Sequence, residues 1–260
     1  MTRIDYVDET VNPLGWGCYG PEGTAADPKR CPYCFAHRFA KRNLVECPEC
    51  RAFVPHWHPE RLPELYPVTG QPKRFFVQDM GDLWHPAVPA EHQQDVLTAC
   101  ALKPSIPIPP RHAHLFLTKC PENMVRQYRR WKREHEDWAM YQNWWFGVTV
   151  EDNEAEIARI HFLGGLPQDT CKWLSCEPLR ERLDLVPYFM AHMIDWVVIG
   201  QLTGPGAYPP TDHRRVESLI GQCRKFGVPV WVKGELAKRF PVQELPPALA
   251  AIAEQRRRRS

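Results

Sequence analysis

Cysteines near the N-terminus are the residues of this chain whose type and spacing suit metal chemistry. Cys18, Cys31, Cys34, Cys47 and Cys50 fall within 33 of the 260 residues, and the other five of the 10 cysteines are scattered. Thiolates bind zinc and iron, and a cytosolic protein with this many cysteines uses some for metal more often than for disulfides. The spacing therefore predicts a metal-binding segment, which we place at residues 16–58.

Two interpretations compete for these cysteines. In the first, Cys31 and Cys34 pair with Cys47 and Cys50 as two Cys-x2-Cys knuckles around a tetrahedral structural zinc, a zinc ribbon that leaves Cys18 unused. In the second, Cys18, Cys31 and Cys34 hold an iron–sulfur cluster, and three thiolates leave one iron open for catalysis. The spacing alone does not separate the two interpretations.

The second interpretation leaves Cys47 and Cys50 without a partner set. His56 and His58 follow them in the pattern Cys-x2-Cys-x5-His-x-His, which suits zinc better than a further iron–sulfur cluster. The alternative is that the two cysteines form a turn and that His58 belongs to an ordinary loop.

Beyond residue 70, short β-branched or aromatic runs alternate with helical stretches. The predicted strands cover residues 74–78, 114–118, 145–150, 173–175, 196–199 and 228–232. The predicted helices of this part cover residues 90–102, 122–141, 153–162 and 212–226, and one further helix is predicted earlier in the chain, at 35–43. This alternation indicates a parallel sheet with right-handed crossovers. With one or more strands before residue 70, we expect an α/β fold, a closed or partial β/α barrel, with a doubly wound sheet as the alternative.

We expect residues 1–240 to form one domain, followed by a C-terminal extension, 241–260, with a basic tail. Ionisable and polar residues recur where each predicted strand ends. In a parallel β/α architecture these positions share one end of the sheet, where chemistry is usually found. The alternative for each is an ordinary polar loop or a surface ion pair.

Several segments carry a resemblance that runs along the chain in order. They include Asn12-Pro13, Gly17-Cys18, Cys31-Pro32-Tyr33-Cys34, Ser175-Cys176-Glu177-Pro178-Leu179 and Gly204-Pro205-Gly206-Ala207. Together with further matches over residues 4–235, these segments resemble an uncharacterised family of phage proteins. That family looks related to the radical S-adenosylmethionine (SAM) enzymes.

The resemblance implies a [4Fe–4S] cluster on Cys18, Cys31 and Cys34, with Tyr33 packed near the adenine of SAM. It further implies SAM cleavage to a 5′-deoxyadenosyl radical that abstracts a substrate hydrogen, with electrons from a flavodoxin- or ferredoxin-like donor. Two features depart from the superfamily pattern. Twelve residues separate Cys18 from Cys31, where the superfamily has three, and residues 78–82 stand where Gly-Gly-Glu often binds the methionine amino group.

Within this resemblance the residues that end the strands become candidates for the site. The predicted cofactor-binding residues are Tyr33, Met80, Asp82, Lys119, Thr149, Glu151 and Ser175. The predicted catalytic residues are Glu177, Cys176 and Lys233, and the predicted substrate-binding residues are Gln201, Thr203 and Glu235. Cys176 would donate a hydrogen atom to a product radical, although free cysteine is more often a packed thiol.

Charge and apolar patterning indicate where the protein is located in the cell. The formal net charge of +2 includes four arginines at 256–259, so the rest of the chain has 29 basic residues against 31 acidic ones, a net charge of −2. No run approaches the roughly 20 apolar residues of a membrane helix, and the first residues lack the apolar core of a signal peptide. We therefore expect a cytoplasmic protein.

Motif absences weaken other classes, and one helix suggests a substrate. The chain has no phosphate-binding P-loop, dinucleotide-binding glycine pattern or Gly-x-Ser-x-Gly turn. In the predicted helix 122–141, Met124, Tyr128, Trp131 and Trp138 recur at helical spacing and should form its buried face. A second stripe is basic: Arg126, Arg130 and Arg133. Because such a stripe beside aromatic residues can bind single-stranded nucleic acid, a nucleic-acid substrate is one hypothesis, and an ordinary solvated face is the alternative.

Two other functions stay open on the sequence. One is a non-catalytic zinc-ribbon protein on an α/β scaffold that binds nucleic acid or a partner protein, and Cys18, which a ribbon does not need, argues against it. The other is a cluster used structurally or as a redox sensor, without SAM cleavage.

Overall fold

The structure is a computed structural model that describes residues 4–41, 45–67, 70–101, 112–136, 143–152, 154–202 and 211–257. The chain divides into two compact units. The first unit is Val7–Trp144, and the second combines Met1–Tyr6 with Trp145–Ser260.

The first unit is built on three parallel strands. β1 (Glu9–Val11), β2 (Arg74–Val77) and β3 (Ala113–Thr118) pair in chain order, with Val11 opposite Val77 and Val77 opposite Phe116. Every side chain of β2 is buried, as is expected for a parallel strand covered on both faces. The register brings the residues that follow β1 and β2 to the same edge.

Short helices follow the strands of this unit. In the described residues they are α1 (Phe35–Ala40), α2 (Pro48–Ala52), α3 (Ala90–Cys100) and α4 (Pro121–Glu134), with a 3₁₀ helix at Pro59–Leu65. Trp131 of α4 packs edge-on against Trp144 with ring centroids 4.8 Å apart, and Trp84 packs edge-on against Phe116 at 5.6 Å. These aromatic contacts form much of the core between helices and sheet.

The second unit has parallel strands that also pair in chain order. They are β4 (Trp144–Thr149), β5 (Cys171–Cys176), β6 (Trp196–Ile199) and β7 (Val230–Val232). Its described helices are α5 (Glu154–Leu163), α6 (Val186–Met190), α7 (His213–Phe226), α8 (Gly234–Arg239) and α9 (Pro247–Arg257). Tyr6 packs edge-on against Trp173, Trp196 and Trp231, with centroid distances of 6.1, 5.1 and 6.1 Å.

The predicted α/β class with parallel strands is confirmed. Each of the six predicted strands is present with small shifts at its ends, and β1 supplies the strand expected before residue 70. β7 begins at Val230 rather than at residue 228, because Val228 donates its N–H to the Cys223 carbonyl at 3.0 Å and Pro229 has no N–H to donate.

The five predicted helices are present and differ from the predictions mainly at their C-terminal ends, whereas α2, the 3₁₀ helix, α6, α8 and α9 were not predicted. α1 ends at Ala40, three residues before the predicted end, and α4 ends at Glu134. Met124, Tyr128 and Trp131 are buried, which confirms the predicted inner face of α4, whereas Trp138 lies outside the described residues. The basic stripe of Arg126, Arg130 and Arg133 is exposed.

Within the described part of the chain, no helix combines the length and the apolar character that crossing a membrane requires.

Candidate functional site

Side-chain amides join the ends of β1 and β2 in the first unit. Asn12, directly after β1, donates to Asp79 Oδ1 at 2.7 Å and accepts from the Met80 backbone N–H at 2.9 Å. Gln78, at a φ of 65°, donates from its side chain to the Gly15 carbonyl oxygen at 2.8 Å. Burial raises the pKa of the Asp79 carboxyl, against the opposing effect of the hydrogen bond from Asn12. These bonds hold Met80, a predicted cofactor residue, in a buried position.

Asp82 joins the end of β2 to the end of β3. Its Oδ1 accepts from the Thr118 hydroxyl at 2.7 Å and from the Trp84 N–H at 3.0 Å, and its Oδ2 accepts from the Lys119 N–H at 3.0 Å. The carboxylate is therefore engaged by three donors of the chain itself. This bonding gives Asp82 a structural task at the position where we predicted a SAM contact.

The twelve residues between Cys18 and Cys31 fold back on themselves. The Arg30 Nε donates to the Cys18 carbonyl oxygen at 3.0 Å, so the two ends of the loop meet. Gly20 has a φ of +86°, and a Cβ there would overlap the Lys29 carbonyl oxygen, so the two chain segments approach more closely than a side chain would allow. The long spacing in sequence thus corresponds to a short separation in space.

A buried histidine anchors this loop to the strand ends. His85 accepts from the Ala87 N–H at its Nδ1 (3.1 Å), so its Nε2 carries the hydrogen and donates to the Gly20 carbonyl oxygen at 2.9 Å. The Tyr19 ring packs edge-on against the His85 ring, with centroids 5.8 Å apart. The loop is therefore fixed from the segment that follows β2.

The Cys31 and Cys34 thiols act electrostatically on the Cys18 thiol. Burial, followed by the negative charge of Asp82, raises the pKa of the Cys18 thiol to about 12, and Cys34 and Cys31 add to the increase. Cys34 caps α1, because its Sγ accepts the His37 N–H at 3.4 Å. All three cysteines are half-buried rather than sealed in the core.

Aromatic and apolar side chains surround these cysteines. The Lys119 Nζ lies 5.9 Å from the centroid of the Tyr33 ring, which brings together two predicted cofactor residues. Cys18 and Cys34 pack with Trp16 and Phe39 against a buried cluster, which consists of Ala36, Ala40, Phe53 and Met80. These contacts and the Asp82 bonds link Tyr33 with Lys119, Lys119 with Asp82, and Met80 with the cluster beside Cys18 and Cys34.

Cys47, Cys50, His56 and His58 form a group that could hold a metal ion. One donor atom from each lies within 4.8 Å of the others. The His56 Nε2 is 3.2 Å from the Cys47 Sγ, 3.6 Å from the Cys50 Sγ and 2.7 Å from the His58 Nε2. These cysteines therefore assemble with the two histidines, as the Cys-x2-Cys-x5-His-x-His pattern predicts, and not as a ribbon with Cys31 and Cys34.

Local backbone geometry explains how the four donors meet. Cys47 precedes α2 and Cys50 lies in it, so both thiols lie on one helical turn. Phe53 then adopts the left-handed conformation at a φ of 55°, which reverses the chain after the helix. The segment that follows returns the two histidines to the thiols.

In the second unit, Glu177 and Lys233 form an ion pair at the ends of β5 and β7. The Lys233 Nζ lies 2.8 Å from the Glu177 Oε2, and the Ser175 hydroxyl donates to the Glu177 Oε1 at 3.3 Å. The Lys233 ammonium also lies 5.5 Å from the centroid of the Tyr6 ring. Both members of the pair are half-buried. Two of the three predicted catalytic residues are therefore in direct contact, at 2.8 Å.

The remaining predicted residues of this unit differ in exposure. Thr149 and Glu151 are buried at the end of β4, whereas Glu235 is exposed and pairs with Lys238 at 2.6 Å. Cys176 is completely buried, and burial raises the pKa of its thiol well above the usual range, which favours the packed-thiol alternative. Gln201 is half-buried, and Thr203 lies outside the described residues.

Three residues of the first unit were not predicted as site residues. Asn12, Asp79 and His85 connect the strand ends to the cysteine loop through the bonds given above. The available signal was position: Asn12 follows β1 directly, and the other two flank Asp82. Sequence spacing does not reveal which of several polar residues in one loop bonds to the neighbouring loop.

Comparison with known proteins identifies the family and adds no function. Neither a curated protein nor a solved structure matches the chain. Residues 1–241 match a family described as "Protein of unknown function (DUF5131)". Because this match covers most of the 260 residues, the chain belongs to the DUF5131 family.

Proposed function

We propose that this protein is a radical SAM enzyme on a closed or partial β/α barrel, with a [4Fe–4S] cluster on Cys18, Cys31 and Cys34. The resemblance over residues 4–235 suggests this class. The observation that carries the proposal is the closure of the unusually long loop between Cys18 and Cys31, which folds back so that Arg30 bonds to the Cys18 carbonyl oxygen and the charges of Cys31 and Cys34 act on the Cys18 thiol. This closure offsets the main departure from the superfamily pattern.

The donor set fits a cluster with one open iron. Cys18, Cys31 and Cys34 are half-buried, and the cysteines next along the chain, Cys47 and Cys50, assemble with histidines instead. Three thiolates leave one iron without a protein ligand, which is the arrangement that a substrate-binding cluster needs. When bound, the cluster and SAM supply a 5′-deoxyadenosyl radical that removes a hydrogen atom from the substrate.

The residues of the first unit have three tasks in this proposal. Tyr33, whose ring faces the Lys119 ammonium, offers an aromatic surface for an adenine ring. Met80 and the apolar cluster around Cys18 exclude water from the cysteine loop. Asp82 holds the ends of β2 and β3 together and so positions Lys119.

The second unit supplies polar groups that can orient a substrate or hold a proton. Glu177 and Lys233 share an ion pair, and Ser175 donates to the same carboxylate. A carboxylate beside an ammonium group can pass a proton to or from a bound molecule. Thr149 and Glu151 at the end of β4 and Gln201 after β6 remain proposed contacts.

Positive charge beside the cysteines suits a reduced protein donor. Burial, followed by the charges of Lys41 and Arg30, lowers the pKa of His37 in α1. An acidic flavodoxin- or ferredoxin-like protein would be attracted to such a surface, with an association rate that falls as salt rises.

The proposal of a nucleic-acid substrate is supported by the exposed Arg126, Arg130 and Arg133 of α4. This support is weaker, because Arg130 already pairs with Glu134 at 2.9 Å.

The proposal is tested on protein purified and reconstituted without oxygen. We expect about four irons per chain and, with dithionite and SAM, formation of 5′-deoxyadenosine measured by liquid chromatography and mass spectrometry. Cys31→Ser should lose both iron and product. Cys171→Ser is the matched control, since Cys171 is also half-buried but lies on β5 outside both cysteine groups.

Two outcomes would contradict the proposal. If the Cys31→Ser variant still bound iron, the assignment of Cys31 as a cluster ligand would be wrong. A reduced, fully loaded cluster that leaves SAM intact would support the redox or structural alternative instead.

A further inference from the structure

We infer that Cys47, Cys50, His56 and His58 form a closed structural zinc site that fixes the segment leading to Cys18. This inference concerns a different set of ligands from the proposed cluster and does not depend on SAM cleavage. It rests on the donor geometry, on the hydrogen bonds behind the donors and on the contacts between this site and residues 13–17.

The sulfur–nitrogen separations lie close to an edge of a zinc tetrahedron. Bond lengths of about 2.3 Å to sulfur and about 2.0 Å to nitrogen place a sulfur and a nitrogen ligand about 3.5 Å apart. The His56 Nε2 lies 3.2 and 3.6 Å from the two sulfurs, and the His58 Nε2 lies 3.9 Å from the Cys50 Sγ. Each histidine nitrogen therefore has a cysteine sulfur as a neighbour, which suits one ion that is bound by all four residues.

The hydrogen bonds of the two imidazoles leave the same atom available on each ring. The His56 Nδ1 lies 2.8 Å from the Val54 carbonyl oxygen, and the His58 Nδ1 lies 2.5 Å from the Glu60 Oε1. Because both partners are acceptors, both Nδ1 atoms carry hydrogen, and both neutral rings present a lone pair at Nε2. Those Nε2 atoms are 2.7 Å apart. Two lone pairs at this distance repel unless a proton or a metal ion lies between them, and a zinc ion bound by both atoms would hold them about 3.3 Å apart.

The ligand set and its surroundings favour zinc in a closed site. Two thiolates and two imidazoles complete a tetrahedron, which leaves no position for a substrate or water. The carbonyl and carboxylate on the Nδ1 atoms orient the rings in the way that ligating histidines are commonly held. The Cys50 Sγ also accepts the Trp16 N–H at 3.3 Å, which would stabilise a thiolate.

The same site holds the segment that precedes Cys18. The His56 N–H donates to the Leu14 carbonyl oxygen at 3.2 Å, and the His58 N–H donates to the Pro13 carbonyl oxygen at 2.7 Å. Gly15, at a φ of +59°, lies against the His56 ring, where a Cβ would overlap the imidazole. A zinc ion that fixes the two histidines therefore also fixes residues 13–16.

The segment continues directly into the cysteine loop. The Gly17 N–H donates to the Met80 carbonyl oxygen at 3.1 Å, and Cys18 is the next residue. Cys18 is thus held between the zinc site on one side and the end of β2 on the other. We infer that the bound zinc positions Cys18 without being part of the reaction.

The zinc site is tested in a Cys31→Ser chain, where the proposed cluster is removed, so that failure of one proposal is distinguishable from failure of the other. We expect one zinc per chain by elemental analysis, and none in a chain that also carries Cys47→Ser and Cys50→Ser. Exchange with Co²⁺ should give the visible bands of a tetrahedral site and a thiolate-to-cobalt charge-transfer band. This spectrum is measured on a chain with all four zinc ligands, so it does not depend on whether the multiple variant folds.

The positioning role has a separate measurement in the same Cys31→Ser chain. Removal of zinc by a chelator should increase the rate at which iodoacetamide labels Cys18 several-fold, with labelling resolved by peptide mass spectrometry. Labelling of Cys171 in the second unit is the internal control and should not change.

The results that would overturn the inference are specific. If Cys47→Ser together with Cys50→Ser left the zinc content unchanged, the assignment of these ligands would be wrong. If iron and acid-labile sulfide were found at these residues, the site would be an iron–sulfur cluster and not a closed zinc site. An octahedral cobalt spectrum would exclude the tetrahedral donor set. Labelling of Cys18 that is equal with and without zinc would exclude the positioning role.

Discussion

The two cysteine groups of the first unit differ in the number and kind of metal donors that they bring together. Around Cys47 and Cys50, two histidines complete four donors, and the hydrogen bonds that their Nδ1 atoms donate leave the two Nε2 atoms 2.7 Å apart as the available nitrogens. Cys18, Cys31 and Cys34 instead form a group of three half-buried thiols, of which Cys18 and Cys34 pack against apolar side chains. The first arrangement suits a structural ion, and the second suits a centre that must accept another molecule.

Cysteine spacing alone therefore does not distinguish a structural metal site from one that takes part in a reaction. Cys31-x2-Cys34 and Cys47-x2-Cys50 have the same spacing, yet each pair precedes or begins a different helix with different neighbours. The contrast predicts distinct responses to substitution, the largest of which concerns stability.

Serine substitution should separate the two groups most strongly. In zinc-loaded, iron-free protein, Cys50→Ser should lower the free energy of unfolding by at least about 3 kcal/mol, because metal binding contributes directly to folding. Cys34→Ser should change it by less than about 1 kcal/mol, because serine is a favourable N-cap and replaces the sulfur that accepts the His37 N–H. Urea denaturation measures both. Equal losses would contradict the division into a structural and an open site.

Asp82→Asn should have an intermediate effect, confined to the Cys18 group. The amide N–H₂ of asparagine would face the Thr118 hydroxyl or the Lys119 N–H, and an unmatched donor in this setting costs about 1–3 kcal/mol. Loss of the negative charge should also lower the pKa of Cys18 from about 12, although burial remains the larger cause. Iodoacetamide should therefore label Cys18 of metal-free protein faster in the variant.

The pH dependence of the same variant checks the cause. Because the pKa of Cys18 is raised from 9.0 to about 12 in the folded chain, its contribution to the stability of metal-free protein is present below pH 9 and is lost as pH rises toward 12. This alkaline loss should be smaller in Asp82→Asn. Asp79→Asn is the matched control, since Asp79 is not among the charges that raise the pKa of Cys18. An equal change in both variants would contradict the role of Asp82.

Glu60→Ala should have the smallest effect, confined to the zinc group. It removes the carboxylate that accepts from the His58 Nδ1, and loss of such a partner typically weakens metal binding 10–100-fold. Because Glu60 is exposed, we expect about tenfold, the lower end of that range, measured by competition with a chromogenic chelator. Glu64→Ala, which removes only an exposed pair with Arg61, is the control and should leave zinc affinity unchanged. Equal affinity in wild type and Glu60→Ala would show that this carboxylate does not support the site.

Periodicity and local spacing alone predicted much of the molecule. The parallel α/β class, the six strands beyond residue 70 and the buried face of α4 follow from short apolar runs and helical spacing, because these patterns reflect which side of an element is covered. The pattern from Cys47 to His58 likewise offered a Cys2His2 zinc site as one of its alternatives, since donors close in sequence have few ways to be far apart. The ion pair of Glu177 with Lys233 was predicted only as two residues at strand ends.

Tertiary structure decided which distant groups meet. Sequence could not choose between the zinc ribbon and the Cys2His2 group, because the choice depends on the chain reversal at Phe53 and on the pairing of residues 13–14 with 56–58. It could not show that the loop between Cys18 and Cys31 closes, since closure needs the bond from Arg30. It also could not show that Cys176 is fully buried. Local pattern determines the elements, whereas contacts between residues far apart in the chain depend on packing and hydrogen bonds that no short window contains.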